Sequence, residues 1–259
     1  MADLEYTVAD GIGRILLNRP ERKNAFTLDM IDSWVEALVS ARTDPGVRVV
    51  LVTGAGGAFC SGMDLGGMRS DRSALDTKTV LMDRVHRVAL ALQDLDKPVV
   101  AAVDGVAVGA GMDMALMCDL RVCSTSARFS EGYVKVGLVP GDGGCYFLPR
   151  IVGTARALEL LWTGDMIDAD EAHRIGLVNH VYPQDSFEQQ AGALVCQLAD
   201  GPPVAISMIK RATYQSVNSD LRTALDLISS HMSVVRSTAD SHEAMAAFRE
   251  RRTPTFHGR

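Results

Sequence analysis

The chain has 259 residues, 47% hydrophobic and 22% charged, with a formal net charge of −6 and a pI near 5.5. That length can bury roughly three quarters of its unfolded surface, so core size is not limiting, and the ordinary composition excludes a disordered or fibrous chain. The acidic balance gives no field for a phosphate backbone, and the Arg249, Arg251, Arg252 cluster comes only near the end, so nucleic acid is not an expected partner.

Met1 to Val8 is polar and acidic, and no apolar run approaches the roughly 18 residues that span a bilayer, so a cytoplasmic location with no membrane partner is expected. The five cysteines, Cys60, Cys118, Cys123, Cys145 and Cys196, include no C-x-x-C pair and read as reduced structural thiols. The histidines show no metal spacing, and no metal is expected.

Short apolar strands alternate with amphipathic helices over the first two hundred residues, which predicts an α/β layer arrangement. Arg14 to Asn18 and Val47 to Thr53 read as strands. Between them Thr27 caps a helix carrying Leu28, Ile31, Trp34, Val35, Leu38 and Val39 at helical spacing. A helix around Val80 to Leu92, a break at Asp96-Lys97-Pro98 and a buried strand Val99 to Val103 follow. Asp168 with Glu171 and Ser186 with Gln189 have capping-box spacing, and Gly176 and Gly201 stand where helices end. After Pro202-Pro203 only helical segments remain, so the expected division is an α/β core over 1–200 and a helical region over 201–259.

Two glycine-containing loops each follow a strand: Gly54-Ala55-Gly56-Gly57-Ala58-Phe59-Cys60-Ser61-Gly62-Met63-Asp64-Leu65, and Asp104-Gly105-Val106-Ala107-Val108-Gly109-Ala110-Gly111-Met112-Asp113. Neither has the spacing of a dinucleotide or nucleoside triphosphate loop. Small residues let a main chain approach a ligand, and Ala110 opens an apolar helix whose first N–H groups are free to donate. If Ser61 and Ala110 aim their N–H groups at one carbonyl oxygen, they form an oxyanion hole worth roughly 3 kcal/mol per donor. The alternative is that both loops are tight turns and nothing more.

These loops resemble the paired signature of the crotonase (enoyl-CoA hydratase/isomerase) family. Asn18-Arg19-Pro20-Glu21-Arg22-Lys23-Asn24-Ala25 resembles the opening motif, Ala58 to Leu65 the second and Gly105 to Asp119 the third. Gly137 to Gly144, Leu161-Trp162-Thr163-Gly164, Ala172 to Val178 and the tail Phe248 to Phe256 continue the likeness over nearly the whole chain. The resemblance implies a spiral of ββα units, a C-terminal helical trimerisation region, and homotrimers that often pair into hexamers. It implies an acyl-CoA substrate, with coenzyme A beside Lys23, Ala25, Met63, Asp64 and Leu65, and Phe256 reaching the nucleotide of a neighbouring subunit. No cofactor is implied beyond that coenzyme A moiety.

The resemblance also places the two glutamates of family hydratases at Asp113 and Tyr133. Asp113 keeps a carboxylate one turn beyond Ala110 and is the expected acid/base. A phenol whose ordinary pKa is near 10 cannot serve as a resting base, so Tyr133 is expected to donate a proton or a hydrogen bond. Asp142, flanked by glycines, is either a turn-forming cap or a substitute carboxylate, and Glu131 is a third acid nearby. His86 matches a helical histidine of family dehalogenases, but their nucleophilic aspartate falls at Gly141 here. An enzyme acting on an unsaturated acyl-CoA through an enolate is therefore expected. Decarboxylation, thioester cleavage, dehalogenation or a non-catalytic acyl-CoA-binding scaffold are the alternatives.

Overall fold

In the computed structural model, residues 2–64, 66 and 73–259 are described; Leu65 lies outside them. Strands β1 (Leu4–Ala9) and β2 (Ile12–Leu17) form a hairpin across Asp10-Gly11, both at positive φ, as a two-residue turn of this hand requires. Helix α1 (Leu28–Thr43) starts at Thr27, whose Oγ1 accepts from the Met30 N–H at 3.2 Å. It buries Ile31, Trp34, Val35 and Leu38, while Val39, expected on the same stripe, is 51% exposed.

Strand β3 (Val49–Gly54) follows. The helix expected over Val80 to Leu92 is broken into α2 (Ala74–Val80), a π-helical turn over Leu81–Val85, and α3 (His86–Gln93). Then come β4 (Val99–Val103), β5 (Val106–Val108), α4 (Ala110–Leu116), β6 (Leu120–Ser124) and β7 (Arg128–Ser130). Helices α5 (Gly144–Val152) and α6 (Thr154–Thr163), strand β8 (Ile167–Asp168), α7 (Ala169–Arg174), β9 (His180–Tyr182) and α8 (Phe187–Ala199) complete the α/β part.

The main sheet has the order β1-β2-β3-β4-β6-β9 and is parallel throughout except for the antiparallel β1–β2 pair. Its two faces follow the two-residue period of the strands. Val50, Val52, Ala101 and Val103 face the core that contains α1, whereas Val49, Val100, Ala102 and Val122 pack against Phe187, Ala191 and Val195 of α8. A second sheet, β5-β7-β8, stands beside it. The tight turn at Asp104-Gly105 carries the chain between the sheets. Gly105 is at φ 67°, and a Cβ there would lie 2.0 Å from Gly57 O.

Asp168 caps α7 through the Glu171 N–H, but Glu171 pairs with Arg174, so the reciprocal half of the capping box is absent. Ser186 makes no cap bond to α8; its hydroxyl donates to Pro183 O and accepts from Gln190 Nε2. The chain ends in α9 (Pro203–Ser216), α10 (Leu221–Arg236, capped by Asp220) and α11 (Ala239–Glu250, capped by Thr238). Helix α9 is anchored at Asp119, which accepts from Lys210 Nζ at 2.7 Å, Tyr214 OH at 2.8 Å and the Val99 N–H at 2.7 Å.

Candidate active site

The loops after β3 and β4 are drawn together by main-chain bonds. Phe59 and Cys60 donate their N–H groups to Val106 O at 3.1 and 3.0 Å, and Val108 N–H donates to Cys60 O at 3.0 Å. Asn24, fully buried at φ 55°, donates to Ala55 O at 2.9 Å and Ala58 O at 2.7 Å and accepts from Arg19 N–H at 2.8 Å. It thereby ties the opening motif to the second. Gly111 sits so close to Cys60 O that an added Cβ would come within 2.2 Å, which no other residue could tolerate without moving the loop.

Gly109, at φ 54°, opens α4 without a side-chain cap, and the Ala110 N–H has no acceptor among the described residues. Ser61, expected as the second oxyanion donor, is not free: its N–H donates to Lys23 O at 2.9 Å. The unused amide is two residues on. Phe26 bonds Gly62 O and Asp64 N–H, each at 2.9 Å, so the N–H of Met63 between them points to the other side and meets no acceptor among the described residues. The two turns adjoin, since a Cβ on Gly62 would stand 3.6 Å from Ala110 N.

One turn along α4, Asp113 is completely buried. The Tyr133 hydroxyl lies 2.7 Å from Asp113 Oδ2 and 2.7 Å from Asp142 Oδ2, so Asp113, Tyr133 and Asp142 are brought together. The Tyr133 ring rests against Gly109, the residue before the Ala110 donor. Glu131 joins the group as well. It is completely buried, and a methyl placed on Gly144 would lie 2.4 Å from Asp113 Oδ1 and 2.9 Å from Glu131 Oε2. From the sequence alone Glu131 read as one acid near Tyr133 on an extended segment. The chain instead leaves β7 into a 3-10 turn over Gly132–Val136, which turns Glu131 inward.

Burial dominates the electrostatics of this group. It pushes Asp113 up to about 7, against the hydrogen bond from Tyr133 and with the charge of Asp142 adding to the rise. Burial, with the charge of Asp113 next, pushes Glu131 up to about 10. Asp142 is raised by burial and held back by Tyr133 and His86, and burial beside the two aspartates raises the Tyr133 phenol. His86 on α3 lies with Nε2 2.8 Å from Gly141 O, beside Asp142.

Lys23 (φ 49°) is exposed and Ala25 partly so on the rim formed by the opening motif. Asp64 is taken up by Arg19, with Nη2 to Oδ2 at 2.9 Å, and by the turn to Gly66 at 3.0 Å, so its carboxylate latches the two motifs together. Met63 packs on the main core. Phe256 is not near these residues. Its carbonyl accepts from Arg48 at 2.9 Å, next to the N-terminal end of β3, whereas the site loops leave the C-terminal ends of β3 and β4.

Comparison with known proteins gives this geometry a context. The family model for enoyl-CoA hydratase/isomerase matches residues 7–259. The chain is 35% identical over 254 residues to 1,2-epoxyphenylacetyl-CoA isomerase of Escherichia coli, covering 97% of each chain. It is also 35% identical over 259 residues to 2,3-dehydroadipyl-CoA hydratase of the same organism, covering all of both. The crystal structure of enoyl-CoA hydratase from Bacillus anthracis superposes with a TM-score of 0.94 at 32% identity, again over all of both chains. With the amides of Met63 and Ala110 on adjoining turns, the buried carboxyls grouped one turn along α4, and the family match running over residues 7–259, this chain belongs to the enoyl-CoA hydratase/isomerase family, as an enzyme of the hydratase/isomerase type.

Proposed function

We propose that the protein moves a proton within an unsaturated acyl-CoA, shifting the double bond between the α,β and β,γ positions through an enolate. The thioester oxygen is held by the N–H groups of Met63 and Ala110, and Asp113 takes the proton from one carbon and returns it to the other. Dipoles fixed in advance lower the energy of the enolate without reorganising as charge develops. The proposal asks for no cofactor beyond the coenzyme A of the substrate.

The observation that carries this proposal is the phenol between two aspartates. Two oxygen–oxygen contacts of 2.7 Å need two hydrogens, and Tyr133 supplies one. One aspartate must therefore be neutral, so the group holds an acid and a base together. A carboxyl at about 7 is suited both to accept and to return a proton near neutrality. Hydration is the second reading, favoured by Asp142 as a second carboxylate close to the position that Tyr133 occupies. The two Escherichia coli relatives are named for an epoxyphenylacetyl-CoA and a dehydroadipyl-CoA, which supports an acyl-CoA substrate without selecting the acyl group.

Coenzyme A is assigned to the rim at Lys23 and Ala25, with Met63 and Asp64 shaping its inner side. A homotrimer also belongs to this proposal. Leu221, Leu225, Ile228 and Met232 form an exposed apolar stripe along α10, and Phe256 would meet coenzyme A only from a neighbouring chain. Incubation with a 3-enoyl-CoA decides the reaction. Growth of the conjugated 2-enoyl thioester without a 3-hydroxyacyl product supports isomerisation; hydration of the 2-enoyl-CoA with no double-bond shift overturns it.

A further inference from the structure

Glu131 has no place in the proton transfer just described, yet it is completely buried and neither carboxyl oxygen has a hydrogen-bond partner among the described residues. Asp113 Oδ1 has no hydrogen bond among the described residues either, although the Gly144 amide lies close enough to favour its ionised form. Burying an ionised carboxylate without a partner is too costly to persist. Both groups converge on the space that a side chain at Gly144 would fill, so none separates them. Two carboxylates offer only lone pairs to each other, so a single proton turns this repulsive contact into a hydrogen bond.

We infer that Glu131 stands in the resting protein as a neutral carboxylic acid that donates its proton to Asp113 Oδ1, making it a positioning residue for the catalytic base. Asp113 then has one oxygen held by Glu131 and the other by Tyr133, which fixes its plane one turn below the Ala110 N–H. The other groups facing the pair are Asp142 from the loop before α5, Tyr133 from the 3-10 turn and Cys145 from α5; His86 on α3 acts on Asp142. None is a cation paired to Glu131. The direction of the shifts agrees, since contact with Glu131 favours ionised Asp113 and contact with Asp113 favours protonated Glu131.

The inference rests on the proposed role of Asp113, and its test separates the two. Infrared difference spectra of the free protein at pH 7, wild type against Glu131→Gln, read the protonation state with no substrate present. A buried carboxylic acid carbonyl band lost in the variant supports the inference; loss of a carboxylate band alone overturns it. The second readout is the acid limb of kcat/KM for α-proton exchange on an acyl-CoA in deuterated water. Glu131→Leu removes a donor and moves the limb up by about one pH unit, whereas Glu131→Gln, whose amide still donates, leaves it near the wild-type value. A downward shift in both variants would show that a negative charge was removed and overturns the inference. Absence of exchange in the wild type with any acyl-CoA counts against the role of Asp113, while the infrared result still decides the state of Glu131.

Discussion

Replacing Tyr133 by Phe removes one oxygen and leaves the ring against Gly109, so the fold is retained while Asp113 loses the hydrogen bond from the phenol and Asp142 loses its partner. A hydrogen bond to an ionised group is worth about 1.5–3 kcal/mol, equivalent to about one to two pKa units. With Asp113 starting at about 7, the ionised fraction at pH 7 falls from near one half to between roughly a tenth and a hundredth. The rate of α-proton exchange at pH 7 should then fall about 5- to 50-fold and recover as pH rises through the new limb. The assay is the pH profile of deuterium incorporation for wild type and Y133F. A limb that stays in place or moves down would refute the hydrogen-bonded arrangement.

Gly144→Ala places a methyl against Asp113 Oδ1 and Glu131 Oε2, so exchange should drop by two orders of magnitude or more, at a stability cost of about 1–3 kcal/mol by denaturant unfolding. Stability should also fall as pH rises. Asp113 and Glu131 are raised by burial above their unfolded values, so the folded form binds extra protons from about pH 4 up to about 7 and about 10 respectively. Their stabilising contribution is complete below that window and is lost across it, by up to about 1.4 kcal/mol per pH unit for each group. Urea midpoints at pH 5.5 and 8.5 check this, and Glu131→Gln should flatten the dependence.

The α/β layering, the cap at Thr27, the strand Val99 to Val103 and the helical character of the chain after Pro202-Pro203 were legible from apolar period and capping residues. The boundaries moved where tertiary context intervened: a π-helical turn interrupts the helix expected over Val80 to Leu92, and Ser186 spends its hydroxyl on Pro183 and Gln190. At the site, the spacing of Ala110 and Asp113 announced a shared helical face. What spacing could not supply was hydrogen-bond accounting. The N–H groups of Ser61 and Met63 are equivalent in sequence, and only the pairing with Lys23 and Phe26 shows which is spent. Asp142 and Glu131 were equally hard to weigh, because the 3-10 turn and the glycine-flanked loop that bring them to Asp113 are set by contacts remote in sequence.

The measurement closest to the central claim is deuterium incorporation at the α-carbon of a 3-enoyl-CoA in deuterated water, wild type beside Asp113→Asn. The wild type should exchange and yield the conjugated isomer, and the variant should bind the same thioester but exchange at least a hundredfold more slowly. Exchange that survives in Asp113→Asn would place the base elsewhere, with Asp142 the next residue to replace.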